Sequence, residues 1–187
     1  MEWNKEDRDH LLMFRNALDS DNTKLKEEIK SRLVKNKYII HVLNNKELEE
    51  AESEPDEYFG INILPYYIIS PTQHNVQNFI CFDTGFKELS RYNSAVKDQY
   101  INFYILCDEK EGIDRETGMA RHDLLAALIA EEFNYEIFSG GRWTLESDVP
   151  SVVDNNYAAR TLTFIMTTDA NLVKTRNKMT GFINHKV

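Results

Sequence analysis

Cysteine is scarce. Cys81 and Cys107 are the only two in 187 residues. Two thiols build neither a disulfide scaffold nor a four-cysteine zinc site, so a reduced intracellular protein is the expectation. Basic residues are also short: 22 Lys and Arg face 31 Asp and Glu, a formal charge of −9. That deficit argues against a dedicated nucleic-acid grip, which needs cations for the phosphates, but not against a surface that DNA slides past. No run of 18 apolar residues is present, and residues 1–8 lack the basic-then-apolar order of a signal peptide. No membrane partner is therefore expected. Glycine (7) and proline (4) are too few for a low-complexity chain, while 42% apolar and 11% aromatic residues supply a core. The length suits one domain with extra arms.

Trp3, Leu11, Phe14 and Leu18 fall near helical spacing and predict an opening helix. The cluster Asp19, Ser20, Asp21, Asn22 competes for backbone hydrogen bonds and separates it from a second helix. In that second helix Leu25, Ile29 and Leu33 make one stripe up to Asn36. Residues 38–43 are apolar and partly β-branched, and read as a short strand. Residues 47–57 hold seven acids and no base, which reads as a solvated helix end or mobile loop.

Strands follow at 61–70, broken by Pro65, and at 78–83. Residues 99–107 alternate: Ile101, Phe103, Ile105 and Cys107 face one way, Tyr100, Asn102, Tyr104 and Leu106 the other. Apolar groups on both sides mark a central strand. Residues 117–134 form the clearest helix, with Leu124, Leu125, Leu128, Ile129 and Phe133 as its stripe. Strands at 142–149 and 161–168 close the order, the last greasy on one side and mostly hydroxyl on the other. The pattern is α+β: a mostly antiparallel sheet of four to five strands, one or two packed helices and extra terminal arms. Residues 1–21 read as a helical extension and 22–170 as a single domain with an acidic loop or insertion at 44–58. Residues 171–187 are a basic tail, in which Lys174, Arg176, Lys178 and Lys186 meet no acid.

Catalytic motifs are weak. Asp83-Thr84-Gly85 matches an aspartic-protease triplet, but that chemistry needs two carboxylates sharing a proton, and one copy would demand a dimer. Ordinary turn chemistry, with Asp bonding locally and Gly at positive φ, explains it better. His10, His41, His74, His122 and His185 show no metal-ligand spacing, so no metal and no cofactor is expected. Cys81 and Cys107, if their strands pair, would be neighbouring apolar fillers. Gly140-Gly141-Arg142 lacks phosphate-loop spacing and reads as a turn. The tyrosines, Tyr66 and Tyr67 among them, suit subunit interfaces. Tyr66, Tyr67 and Arg142 near strand ends, with Lys174, Arg176 and Lys178 on the tail, are the candidate interface residues.

From about Lys24 to Thr168 the element order resembles the tail terminator proteins of long-tailed bacteriophages, with their related tail-completion and tail-to-head joining proteins. Three segments carry the likeness: the helix 25–36 leading into the strand at 61–69, the strand 99–105 followed by the helix 121–129, and the closing strand 160–166. The opening helix, acidic stretch and basic tail have no counterpart in that pattern. The resemblance implies a structural virion protein of the neck or tail end, made in the host cytoplasm, and not an enzyme. It implies a ring of copies, usually a hexamer, seated on the tail tube protein and facing a head-completion or connector protein. DNA would pass through without sequence-specific binding. The alternatives are a head-completion or portal-adaptor protein and, further off, a dimeric protease-like hydrolase.

Overall fold

The computed structural model describes residues 5, 8–9, 20–67, 77–86, 96–154 and 157–169. The opening helix, most of the 61–70 strand beyond Tyr67 and the basic tail fall largely or wholly outside these residues. Helix α1 (Ser20–Lys35) buries Leu25, Ile29 and Leu33 completely, the four-residue stripe read from the sequence. It starts at Ser20, so Asn22 lies in its first turn and donates to the Thr84 carbonyl at 3.3 Å.

Helix α2 (Lys37–Leu43) occupies the segment expected to be a strand. Two asparagines decide this. The Asn36 side chain accepts from the Tyr38 and Ile39 amides as N-cap, and Asn44 ends the helix in the left-handed region at φ 51°. Ile39, Val42 and Leu43 then share one buried face. Helix α3 (Lys46–Glu50), capped by Asn45, and a 3-10 turn (Pro55–Tyr58) carry the acidic stretch, which is ordered into short helices and solvated.

The strands are β1 (Ile63–Leu64), β2 (Phe79–Phe86) and β3 (Val96–Asp108). Helix α4 (Arg121–Phe133) follows, then β4 (Ile137–Phe138), β5 (Gly141–Arg142), β6 (Thr144–Asp154) and β7 (Tyr157–Asp169). The main sheet runs β1-β2-β3-β7-β6; only β1 and β2 are parallel. β4 and β5 form a separate hairpin. The protein is α+β, with β3 central.

Helices α1, α2 and α4 cover one sheet face, where Ile80, Phe82, Ile101, Phe103, Ile105, Leu162, Phe164 and Met166 meet Leu125, Ile129 and Phe133. Phe103 sits at the middle, 5.0 Å from the Phe133 ring and 5.7 Å from Phe164. Trp143 is fully buried, stacks on Phe138 at 5.4 Å and donates its indole N–H to the Phe138 carbonyl.

Several expectations change here. β2 runs on through Asp83-Thr84-Gly85, so the triplet is strand and not a turn. Gly85 is glycine for another reason: a Cβ there would lie 2.6 Å from the Tyr100 hydroxyl. Helix α4 starts at Arg121, because residues 112–120 close a loop instead. The two cysteines are both buried, but on opposite sheet faces, because β2 pairs Cys81 with Tyr104.

Candidate interaction surface

Arg121, at the start of α4, is 6% exposed and anchors a surface loop. Its Nε donates to the Glu111 carbonyl and its Nη1 to the Val42 carbonyl, each at 3.0 Å. Its Nη2 lies 3.3 Å from Asp114. Asp114 also accepts from the Thr117 hydroxyl and amide, and these bonds hold its pKa below the usual carboxylate value, with Arg121 helping. Backbone bonds from Arg121 to Gly112 and from Asp114 to Met119 close the loop. Its outer side shows Ile113 (65% exposed) and Met119 (47%) to solvent. Glu111 accepts from Lys46 and Asn44, and the Lys46 bond lowers its pKa. The loop is thereby tied to α3.

A chain of asparagines fixes the acidic stretch to the sheet end. Asn45 donates to Asn62 at 2.7 Å, Asn62 to the Asn78 carbonyl at 2.8 Å, and Asn78 to the Leu43 carbonyl at 2.9 Å. All three are buried, so each bond spares an amide a desolvation penalty. On this platform Glu47, Glu49, Glu50, Glu52, Glu54, Asp56 and Glu57 are all exposed. Lys30 approaches Asp56 at 3.7 Å. Beside the ridge, Val34, Ile40 and Pro55 floor an open groove of about 840 Å³ edged by Lys30, Lys35 and Lys37.

Among the described residues, the core cluster of the second sheet face includes no helical residue. Leu64, Phe79, Cys81, Leu106 and Ala159 are buried there, with Tyr104 and Tyr157 against them. Farther along the same face lie Tyr100, Asn102, Thr161, Thr163 and Ile165, all half-buried, with Thr163 donating to Asn102 at 3.0 Å. Tyr67 packs on Tyr104 at a centroid distance of 4.7 Å, yet Tyr66 and Tyr67 remain 49% and 41% exposed. Burial nonetheless pushes the Tyr67 phenol up. Arg142 is exposed on the separate β5 hairpin. The candidate residues therefore sit on different elements, and Lys174, Arg176 and Lys178 lie outside the described residues.

Ionisable groups elsewhere serve the surface. Arg160 on β7 holds Asp148 bidentately at 2.6 and 2.9 Å and also donates to Asp123, which His122 approaches at 3.3 Å. The fully buried Cys107 thiol is pushed up to about 12 by burial, which makes it a filler and not a nucleophile. Among the described residues no three His, Cys, Asp or Glu side chains are placed to hold a metal ion, and no helix is long and apolar enough to cross a membrane.

The YomW family model matches residues 36–166, well over half of the chain. The chain belongs to the YomW family. No curated protein matches it. The YomW span opens at Asn36, the α2 cap, and closes at Met166 in β7. The asparagine chain, the Arg121 loop and the acidic ridge all lie inside it, whereas α1 and the basic tail lie outside.

Proposed function

We propose that this YomW-family protein is a structural virion component of a phage neck or tail end. It works by fitting against copies of itself and against tube and connector subunits, and carries out no covalent chemistry. The observation that supports this best is that, among the described residues, helices pack on one face of the sheet alone. Helices cover one face, while the other bears half-buried Tyr, Asn and Thr side chains bordered by exposed Tyr66 and Tyr67. Such aromatic and polar surface suits a protein interface. The element order that resembles tail terminators supplies the identity of the partners. A ring of subunits, each carrying −9, gives an acidic passage that repels phosphate, so DNA travels through unbound.

Light scattering on the purified chain, followed by electron microscopy of tail tubes mixed with it, tests the proposal. A closed ring, or a monomer that closes into a ring on tube ends, is expected. A protein that stays monomeric and ignores tube ends would overturn it. A ring of twelvefold symmetry binding a portal would move it to the adaptor role.

A further inference from the structure

The β4–β5 hairpin has two unlike faces. Ile137 pairs with Arg142 and Phe138 with Gly141. Phe138 and Trp143 are buried, whereas Tyr135 and Ile137 are each 66% exposed, with exposed Arg142 beside them. Among the described residues no large hydrophobic side chain is more exposed than these two. Tyr135 also sits at φ 65°, in the left-handed region that a bulky side chain avoids. Strain of this kind, spent on holding an aromatic ring in water, points to a working surface. A groove floored by Val34, Ile40 and Pro55 lies across α1 from the hairpin. Ser139 donates to Glu28 at 2.8 Å and Arg32 lies 4.6 Å from the Phe138 ring, so the hairpin flanks Glu28 and Arg32. Lys30 and Val34 line the groove instead. Two positions along a helix are a rotation of about 200°, so hairpin and groove occupy opposite flanks of α1.

We infer that the outer face of this hairpin in one copy docks in that groove of a second copy. This rests on the proposed self-assembly and names the contact that drives it. The groove measures about 840 Å³, within the range of roughly 300–1,000 Å³ over which proteins bury whole ligands, so Tyr135 and Ile137 both fit. Its walls divide by sign. Lys35 and Lys37 stand on the helical side and Glu54 and Asp56 on the 3-10 side, where Lys30 already approaches Asp56 at 3.7 Å. The hairpin carries one exposed charge of each sign, Arg142 and Glu136, the latter 3.9 Å from Arg32. Setting Arg142 toward Glu54 and Glu136 toward Lys35 and Lys37 fixes the orientation of docking. The same copy cannot make this contact. Phe138 and Trp143 hold the hairpin in the core, and a Cβ at Gly141 would lie 2.5 Å from the Met166 Sδ, so the hairpin is seated on β7. The body of α1, about 10 Å across, stands between it and its own groove. Because the two surfaces differ and lie on opposite flanks, the contact is heterologous and repeats from copy to copy, as a ring requires.

Two variants of the full chain test this by light scattering, under the conditions in which the wild type associates. Tyr135→Gly/Ile137→Ser strips the hairpin face, and Ser31→Arg fills the groove from α1. Each, folded by circular dichroism, should associate at least about tenfold more weakly than the wild type. Tyr135→Gly alone should weaken association while unfolding at the same or higher urea, because glycine relieves the backbone there. A merely structural Tyr135 would lose stability instead. Mixed together, the two variants retain one intact hairpin and one intact groove between them, so a one-to-one dimer and nothing larger is expected. A mixture that stays monomeric would overturn the inference. Rings that survive either variant sink the hairpin contact and leave self-assembly standing. Hairpin-dependent association into open chains that ignore tube ends sinks the neck reading and leaves the contact standing. A wild type that is monomeric both in solution and on tube ends sinks both.

Discussion

Asp114 and Arg121 are both nearly buried, so each depends on the other for its charge to be tolerated. Removing one leaves the other unpaired in a dry site, and Asp114→Asn is expected to cost about 3 kcal/mol at neutral pH. The pH dependence follows from the lowered pKa of Asp114. A depressed folded pKa gives stability that is fully present above the unfolded value near 4 and is lost as pH falls through the folded value. Urea unfolding at pH 7 and pH 3 should therefore show the gap between wild type and Asp114→Asn shrinking in acid. A gap that persists at pH 3 would show that the carboxylate charge is not what holds the loop. Asp83 is a different case. It is half-exposed, 3.8 Å from Lys26, and accepts from the Thr84 amide at 2.8 Å. Asp83→Asn should lower stability by about 1 kcal/mol or less and leave oligomeric mass unchanged, whereas a catalytic carboxylate would lose turnover. At Gly85 the three atoms nearest an added Cβ all belong to Tyr100. Gly85→Ala should destabilise the wild type and be close to neutral in a Tyr100→Ala background, a coupling that a double-mutant cycle in urea would read.

Elements with a long, regular pattern were legible from the chain: the α4 stripe, the alternation of β3, and the greasy face of β7 all stand where spacing put them. The segment 38–43 was not, because five apolar residues around His41 satisfy helix and strand alike, and periodicity cannot choose between them. The choice falls to the flanking asparagines, whose capping is a property of local hydrogen bonds and not of hydropathy. Asn36 also donates to Glu132 of α4 at 3.1 Å, so it ties α2 to its neighbour. Asn36→Ala should cost about 1 to 2 kcal/mol, and Asn36→Asp, which keeps the cap acceptor, should recover part of it by thermal or urea unfolding. The candidate surface was less legible than the fold. Asn45, Asn62 and Asn78 are spread over 33 positions, and nothing in their spacing announces that they meet. Arg121 likewise looks like one of many charges on a helix until the chain brings Asp114, Glu111 and Val42 to it. Tyr66 and Tyr67, in contrast, stood out in the sequence as tyrosines near a strand end, and both are exposed.

At the scale of the molecule, the proposed self-assembly bears on the two edges of the sheet. One edge is β1, only two residues long, and beyond it Asn22 already donates to the Thr84 carbonyl. The other edge is β6, which is eleven residues long but interrupted. Its register with β7 shifts between Leu145 and Ser147 and again between Val152 and Asp154, and exposed Pro150 removes an N–H between them. Bulges, proline and acidic side chains such as Asp148 are the means by which proteins keep edges from pairing. The architecture thus guards its long edge against pairing. Pro150→Thr restores the N–H and favours extended backbone, so it should leave unfolding stability within about 0.5 kcal/mol. It should also add slow, salt-insensitive association to whatever the wild type forms, visible as mass growing with time in static light scattering. If β6 were instead the natural joint, the same substitution would strengthen the proposed ring without producing larger species. Growth beyond a closed ring therefore distinguishes a guarded edge from a working one.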